Sequence, residues 1–173
     1  MNYARIKYLR NAAYIKRFHT VPTIGESQTV SAHSWGVATL LNELFEDSSK
    51  ELILAALYHD VAETLLGDMP ATSKWTYPEL AAAMQRAEEK AEATIGIEFA
   101  LTGEEYMRLK LCDMLELIMF SAEQVKLGNH YFHSVYRNGT TYLKQKYSRS
   151  PDYHKILDVL QFYSAVLQTV EPL

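Results

Sequence analysis

Apolar residues recur along this chain mostly at intervals of three and four, the spacing that lines one face of an α-helix. A first helix is predicted over about residues 3–16. The periodicity lapses from Arg17 to Thr29, where Pro22 and Gly25 mark an irregular segment. A second helix starts near Ser31 and carries the stripe Val30, His33, Val37, Leu40 and Leu44. A third starts near Ser49, with Ser48-x-x-Glu51 as a capping box, and runs to about Leu66, stopping at Gly67. Residues 67–77 read as a loop. Thr76-x-x-Glu79, with Pro78 in the first turn, opens a fourth helix that reaches the region of Phe99. Thr102-x-x-Glu105 opens a fifth, which ends near Gly128. A sixth covers about residues 130–147, and Ser150-Pro151 opens a last one to about Val170. No run of strict alternation argues for a sheet. The expected fold is an all-α helical bundle with short connections, a single domain over residues 1–173.

Composition narrows the functions open to such a bundle. With 173 residues, 48% of them hydrophobic, the chain can bury one sizeable core. The net charge is −4 with both signs mixed, and there is no basic tail or stripe. That argues against duplex nucleic acid as a partner. It leaves a free nucleotide open, because a few placed cations can hold its phosphates. The one cysteine, Cys112, permits no intrachain disulfide and no site built on several thiolates, in keeping with a reducing cytoplasm. Arg5, Lys7, Arg10, Lys16 and Arg17 interrupt the apolar runs of the N-terminal stretch, which reads as neither signal peptide nor membrane span. The expectation is a cytosolic protein with no membrane partner.

The informative residues are polar ones set on apolar stripes. His33 takes a core-facing position of the second helix. The string Leu54-Ala55-Ala56-Leu57-Tyr58-His59-Asp60-Val61-Ala62-Glu63 places His59 and Asp60 side by side in a greasy helix, with Glu63 one turn on. Asp113 shares a stripe with Leu109, Leu117 and Phe120. Burying such groups unpaired would cost several kcal/mol each, roughly. One divalent ion compensates all of them together. Two imidazoles and two carboxylates suit a transition ion such as Zn²⁺, Co²⁺ or Mn²⁺ better than Ca²⁺. A lone core histidine or aspartate more often just finds a hydrogen-bond partner, so the series carries the reading. Glu116, three residues after Asp113, is read as surface-exposed rather than as a further site carboxylate. The run Glu88-Glu89-Lys90 with Glu92 is read as a solvated helix face, and His130, His133 and His154 as surface or interface residues.

His33, then His59-Asp60, then Asp113 resembles the H…HD…D signature of the HD-domain phosphohydrolases, over about Arg17 to Asp113. In that family these four residues ligate the catalytic metal and the fold is all-α. Arg17-Phe18, Thr29-Val30-Ser31-Ala32-His33-Ser34, Tyr58-His59-Asp60-x-x-Glu63 and Gly67-Asp68-Met69-Pro70-x-x-x-Lys74 are similar to the YfbR-type 5′-deoxynucleotidases. They are equally similar to the small phage dATP triphosphohydrolases of the DatZ type, found beside diaminopurine DNA synthesis. The short length favours the phage type, which would act in the host cytoplasm. The resemblance implies Glu63 and Asp68 for water activation and proton transfer, Arg17 and Lys74 for phosphate, and Phe18 for sugar and base. It also implies a homo-oligomer and a deoxynucleotide substrate, with a second divalent ion accompanying the substrate phosphates kept as an addition. The chain departs from the pattern at Phe18, where the family often carries Trp, and at His19 in place of Pro. The first reading is therefore hydrolysis of dATP to deoxyadenosine and triphosphate. The alternatives are a 5′-deoxynucleotidase releasing phosphate from dNMPs and a non-catalytic nucleotide-binding or partner-binding bundle.

Overall fold

A computed structural model describes residues 3–168. Its helices are α1 (Tyr3–Ala12), α2 (Val30–Leu44), α3 (Lys50–Tyr58), α4 (Glu63–Leu66), α5 (Ala71–Thr76), α6 (Pro78–Ile95), α7 (Gly103–Lys126), α8 (Phe132–Tyr147) and α9 (Tyr153–Gln168). Among the described residues the only extended pairing is an isolated bridge between Lys16 and Thr29. The all-α fold expected from the periodicity is the fold found. None of these helices is long and apolar enough to cross a membrane.

The helix starts follow local chemistry. Thr29 caps α2 by accepting from the Ala32 N–H. Thr102 and Glu105 form a complete capping box on α7, as the spacing predicts. The box expected at Ser48 is not formed. Ser49 caps α3 by accepting from the Leu52 N–H, and Glu51 instead accepts from the Ala100 N–H. α6 starts on Pro78 with Tyr77 as N-cap and no side-chain cap bond, so Thr76-x-x-Glu79 is not a box either. The last helix was expected to reach Val170, which lies outside the described residues.

α7 runs through the centre and packs against α2, α3, α8 and α9. The main core joins Val37, Leu41 and Phe45 of α2, Leu52 and Ala55 of α3, Leu111, Leu115 and Ile118 of α7, Leu143 of α8 and Ile156 of α9. Each fully buried leucine in this set contributes about 1.5–3 kcal/mol relative to an exposed one. Gly139 lets α8 lie close against α7, because a Cβ there would sit 3.1 Å from Ile118 Cγ1. A smaller core of Ala12, Val30, Val61, Ile95 and Ile97 joins α1, the start of α2, the α3–α4 break and the end of α6.

Two corrections to the expected elements bear on function. The third helix does not run unbroken to Leu66: α3 ends at Tyr58 and α4 begins at Glu63. The Nδ1–H of His59 donates to the Ala56 carbonyl at 2.7 Å, the acceptor a continuing helix would offer to the Asp60 N–H. The chain then tightens into three-residue turns, with Val61 N–H on Tyr58 and Glu63 N–H on Asp60. The break falls between the two cores, since Ala55 and Ala56 belong to one and Val61 to the other. The stretch read as a loop after Gly67 also holds a short helix, α5, which carries Lys74.

Candidate metal and nucleotide site

Three elements converge on one cluster. α2 contributes His33, fully buried; the α3–α4 break contributes His59 and Asp60; α7 contributes Asp113. His33 Nε2 lies 3.1 Å from Asp113 Oδ1 and 3.6 Å from Asp60 Oδ2. His59 Nε2 lies 3.3 Å from Asp60 Oδ1 and 3.8 Å from Asp113 Oδ1. The ligand atoms of His33, His59 and Asp60 all fall within 4.8 Å of one another. The four residues expected to act together are thus adjacent in space.

The donor set fits a divalent ion on the structure's own terms. His59 Nε2 is buried with no hydrogen-bond partner, while its Nδ1–H is committed to the Ala56 carbonyl. An imidazole so held presents a lone pair at Nε2. His33 is oriented the same way round, because its Nδ1 faces a carboxylate oxygen of Glu116. Without a cation the cluster crowds acid against base. Burial and the Arg17 charge push the His33 imidazolium down, but Asp113 and Glu116 hold it up at about 9. Burial would raise the Asp113 carboxyl, yet His33 and His59 hold it well below the usual range.

Glu63 and Asp68 line the same cavity as His59, Asp60 and Asp113. Glu63 Oε2 is buried without a partner. Burial, then the charges of Asp60 and Asp68, push the Glu63 carboxyl up to about 9. Asp68 Oδ2 lies 3.4 Å from His19 Nδ1.

The expected phosphate cations are more engaged than a sequence can show. Arg17 is 8% exposed, and its Nη1 donates to Asp60 Oδ2 at 2.9 Å. It braces a cluster carboxylate, and its Nε is buried without a partner. The bridge of Lys16 to Thr29 and the bond from Arg17 N–H to the Gln28 carbonyl hold this segment in place. Lys74 pairs with Glu88 at 2.9 Å, both of them about a third exposed. Phe18 has φ 57°, a left-handed backbone unusual for a bulky residue. Its ring stacks on Phe120 with centroids 5.1 Å apart and leans on Phe132. Phe18 is thus both part of an aromatic packing cluster and a wall of a cavity.

That cavity is one of two that adjoin. The larger, about 510 Å³, is lined by His59, Asp60 and Asp113 of the cluster with Glu63, Asp68, Lys74 and Lys110. The smaller, about 140 Å³ and mostly apolar, is bounded by Phe18, Val21, Pro70 and Val135. The two share Arg17, Asp68, Met69 and Leu117.

Three features escaped the sequence reading. Glu116 is not surface-exposed: it is 8% exposed and bonded to His33 and Gln28. Its spacing of three from Asp113 was the available signal. Lys110, on the same turn of α7, lies 3.5 Å from Asp113 Oδ2 and lines the larger cavity. Glu88, Glu89 and Glu92 are not simply a solvated face, for all three line that cavity together with the cluster residues. The alternation of polar residues on α6 looks the same whether a helix faces solvent or a wet cavity. His130, His133 and His154 are exposed, as expected.

Known proteins resemble this chain in sequence and in fold. The 5′-deoxynucleotidase of Vibrio atlanticus is 25% identical over 170 residues, covering 84% of this chain and 87% of that protein. The 5′-deoxynucleotidase of Vibrio cholerae is 24% identical with the same coverage. Among solved structures, the cyanophage S-2L HD phosphohydrolase DatZ, bound to dA and one catalytic Zn²⁺ ion, matches with a TM-score of 0.71 at 22% identity. That match covers 98% of both chains and concerns the fold. The sequence matches the YfbR-like 5′-deoxynucleotidase family over residues 5–158, and the chain belongs to that family of metal-dependent, HD-type phosphohydrolases acting on deoxynucleotides.

Proposed function

We propose that this protein hydrolyses a deoxynucleoside 5′-triphosphate, dATP first, to deoxynucleoside and triphosphate. The observation that carries this reading is the pair of adjoining cavities. A polar one with the cluster, Lys74 and Lys110 suits a phosphate chain, and an apolar one walled by Phe18 suits a base. They meet at Arg17 and Asp68, where the bond between the 5′ oxygen and the α-phosphorus would lie. Adenine is favoured because the matching DatZ structure is bound to dA.

His33, His59, Asp60 and Asp113 would hold the ion, a transition metal such as zinc, cobalt or manganese. When bound it supplies the Lewis acidity that makes water a nucleophile near neutral pH. The rest falls to the chain's own groups. Water attacks the α-phosphorus, the bond to the 5′ oxygen breaks, and the leaving oxygen takes a proton. Glu63, whose carboxyl is held up, and Asp68 handle that proton from the same cavity. Arg17 braces Asp60, and Lys74 and Lys110 offset phosphate charge.

A second reading, release of phosphate from a dNMP, is favoured by the carboxylates Glu88, Glu89 and Glu92 on the cavity wall. They repel a polyphosphate unless a second divalent ion enters with it. The named activity of the Vibrio relatives points the same way. A panel of dNMPs, dNTPs and rNTPs with added metal, resolved by ion-exchange chromatography, separates the two. Triphosphate as product supports the first reading, and turnover of dNMPs alone supports the second. Equal kcat/KM for ATP and dATP would count against a deoxyribose pocket in either.

A further inference from the structure

We propose that Glu116 is a positioning residue for His33. It fixes the tautomer that turns Nε2 toward the metal and strengthens that nitrogen as a ligand. The inference rests on the metal reading above and concerns a residue outside the ligand set.

The geometry is specific. Oε2 of Glu116 accepts the Nδ1–H of His33, on the ring edge away from Asp60 and Asp113. Oε1 accepts from Gln28 Nε2 at 2.7 Å, so both oxygens are held. Gln28 is itself 8% exposed, and its carbonyl takes the Arg17 N–H at 2.8 Å. The carboxylate is therefore anchored to the same segment that braces Asp60. A carboxylate taken out of water is costly unless its oxygens are bonded. Here one bond goes to an imidazole whose orientation decides whether the cluster can form. A carboxylate on the far nitrogen of a metal-binding histidine fixes its orientation and raises its basicity.

Room for Glu116 is made on α2. At Gly36, three residues after His33, a Cβ would lie 2.8 Å from Glu116 Cγ and 3.2 Å from its Oε1. A side chain at that position would force the Glu116 side chain to shift from the place in which it meets His33. The small residue and the carboxylate thus act as a pair, one on each helix.

The test reads metal affinity, by competition with a chromophoric chelator for Zn²⁺. Glu116→Gln should weaken zinc binding by roughly 10–100-fold, the usual effect of removing such a partner. Gly36→Ala should weaken it comparably, yet add nothing to a Glu116→Ala chain. A merely structural glycine would add its effect in either background. The parent chain, loaded with zinc and carrying isotope-labelled histidine, should show by NMR a proton on His33 Nδ1 and the metal on Nε2. That measurement stands even where a variant fails to fold. Zinc affinity of Glu116→Gln within about threefold of the parent, or metal on His33 Nδ1, overturns the proposal. A parent chain that binds no zinc overturns the metal reading as well, whereas a parent that binds and a Glu116→Gln chain that binds equally sinks this inference alone.

Discussion

The two walls of the larger cavity are built differently. On one, His59, Asp60 and Asp113 have side-chain exposures of 6%, 21% and 26% and are backed by His33 at 0%, with contacts running between α2, the α3–α4 break and α7. On the other, Lys74 and Glu88 pair at exposures of 36% and 35%, on the two helices α5 and α6. The first wall is constrained, because buried polar groups hold one another across three elements and the one left over, His59 Nε2, faces the other ligand atoms. The second is adjustable, since an exposed ion pair contributes little and can part when a phosphate arrives. On the proposed function, the chemistry would fall to the first wall and charge balance to the second.

The largest effects should come from the buried wall. His59→Ala and Asp113→Ala should each lose the bound metal and all measurable hydrolysis together. Elemental analysis and product chromatography on the same preparations check this. A folded Asp113→Ala chain with full metal and full turnover would break the comparison on that side.

The next effect sharpens the comparison within the cavity. Glu63→Gln keeps shape and hydrogen bonding but removes the titrating group. It should retain metal and lower kcat by roughly 10²–10⁴. Asp68→Asn is the control, measured for kcat and metal content side by side. If Glu63→Gln is close to the parent while Asp68→Asn is inactive and still metallated, the proton is handled by Asp68.

The smallest effect belongs to the adjustable wall. Lys74→Ala should raise KM by roughly tenfold, the size of one charged hydrogen bond to a phosphate. It should leave kcat and the thermal midpoint nearly unchanged. A large fall in kcat with KM unchanged would show that Lys74 acts on the reacting bond, and the two walls would no longer divide the work.

The same contrast explains which residues were legible beforehand. His33, His59, Asp60 and Asp113 stand out because a polar residue on an apolar stripe is expensive and so signals compensation. Glu116 has that property too, but reading it required knowing that α2 presents Gly36 opposite. Glu88, Glu89 and Glu92 gave no such signal, because solvent and a wet cavity favour the same side chains. Lys110 was hidden for a similar reason, since a lysine beside an aspartate on a helix is common on any surface.

From the sequence alone follow the all-α fold, most helix starts, and the four residues of the cluster itself. Periodicity and capping are local, and a buried polar residue announces itself by its neighbours along the chain. The structure showed that α3 ends at Tyr58, where the His59 ring takes the Ala56 carbonyl from the helix and the chain passes from one core to the other. Only the tertiary structure decided that Arg17 braces Asp60 and that Glu116 stands behind His33. These contacts join residues 43 and 83 positions apart. No local pattern encodes which distant partner a buried group will find, because that is set by how the helices pack.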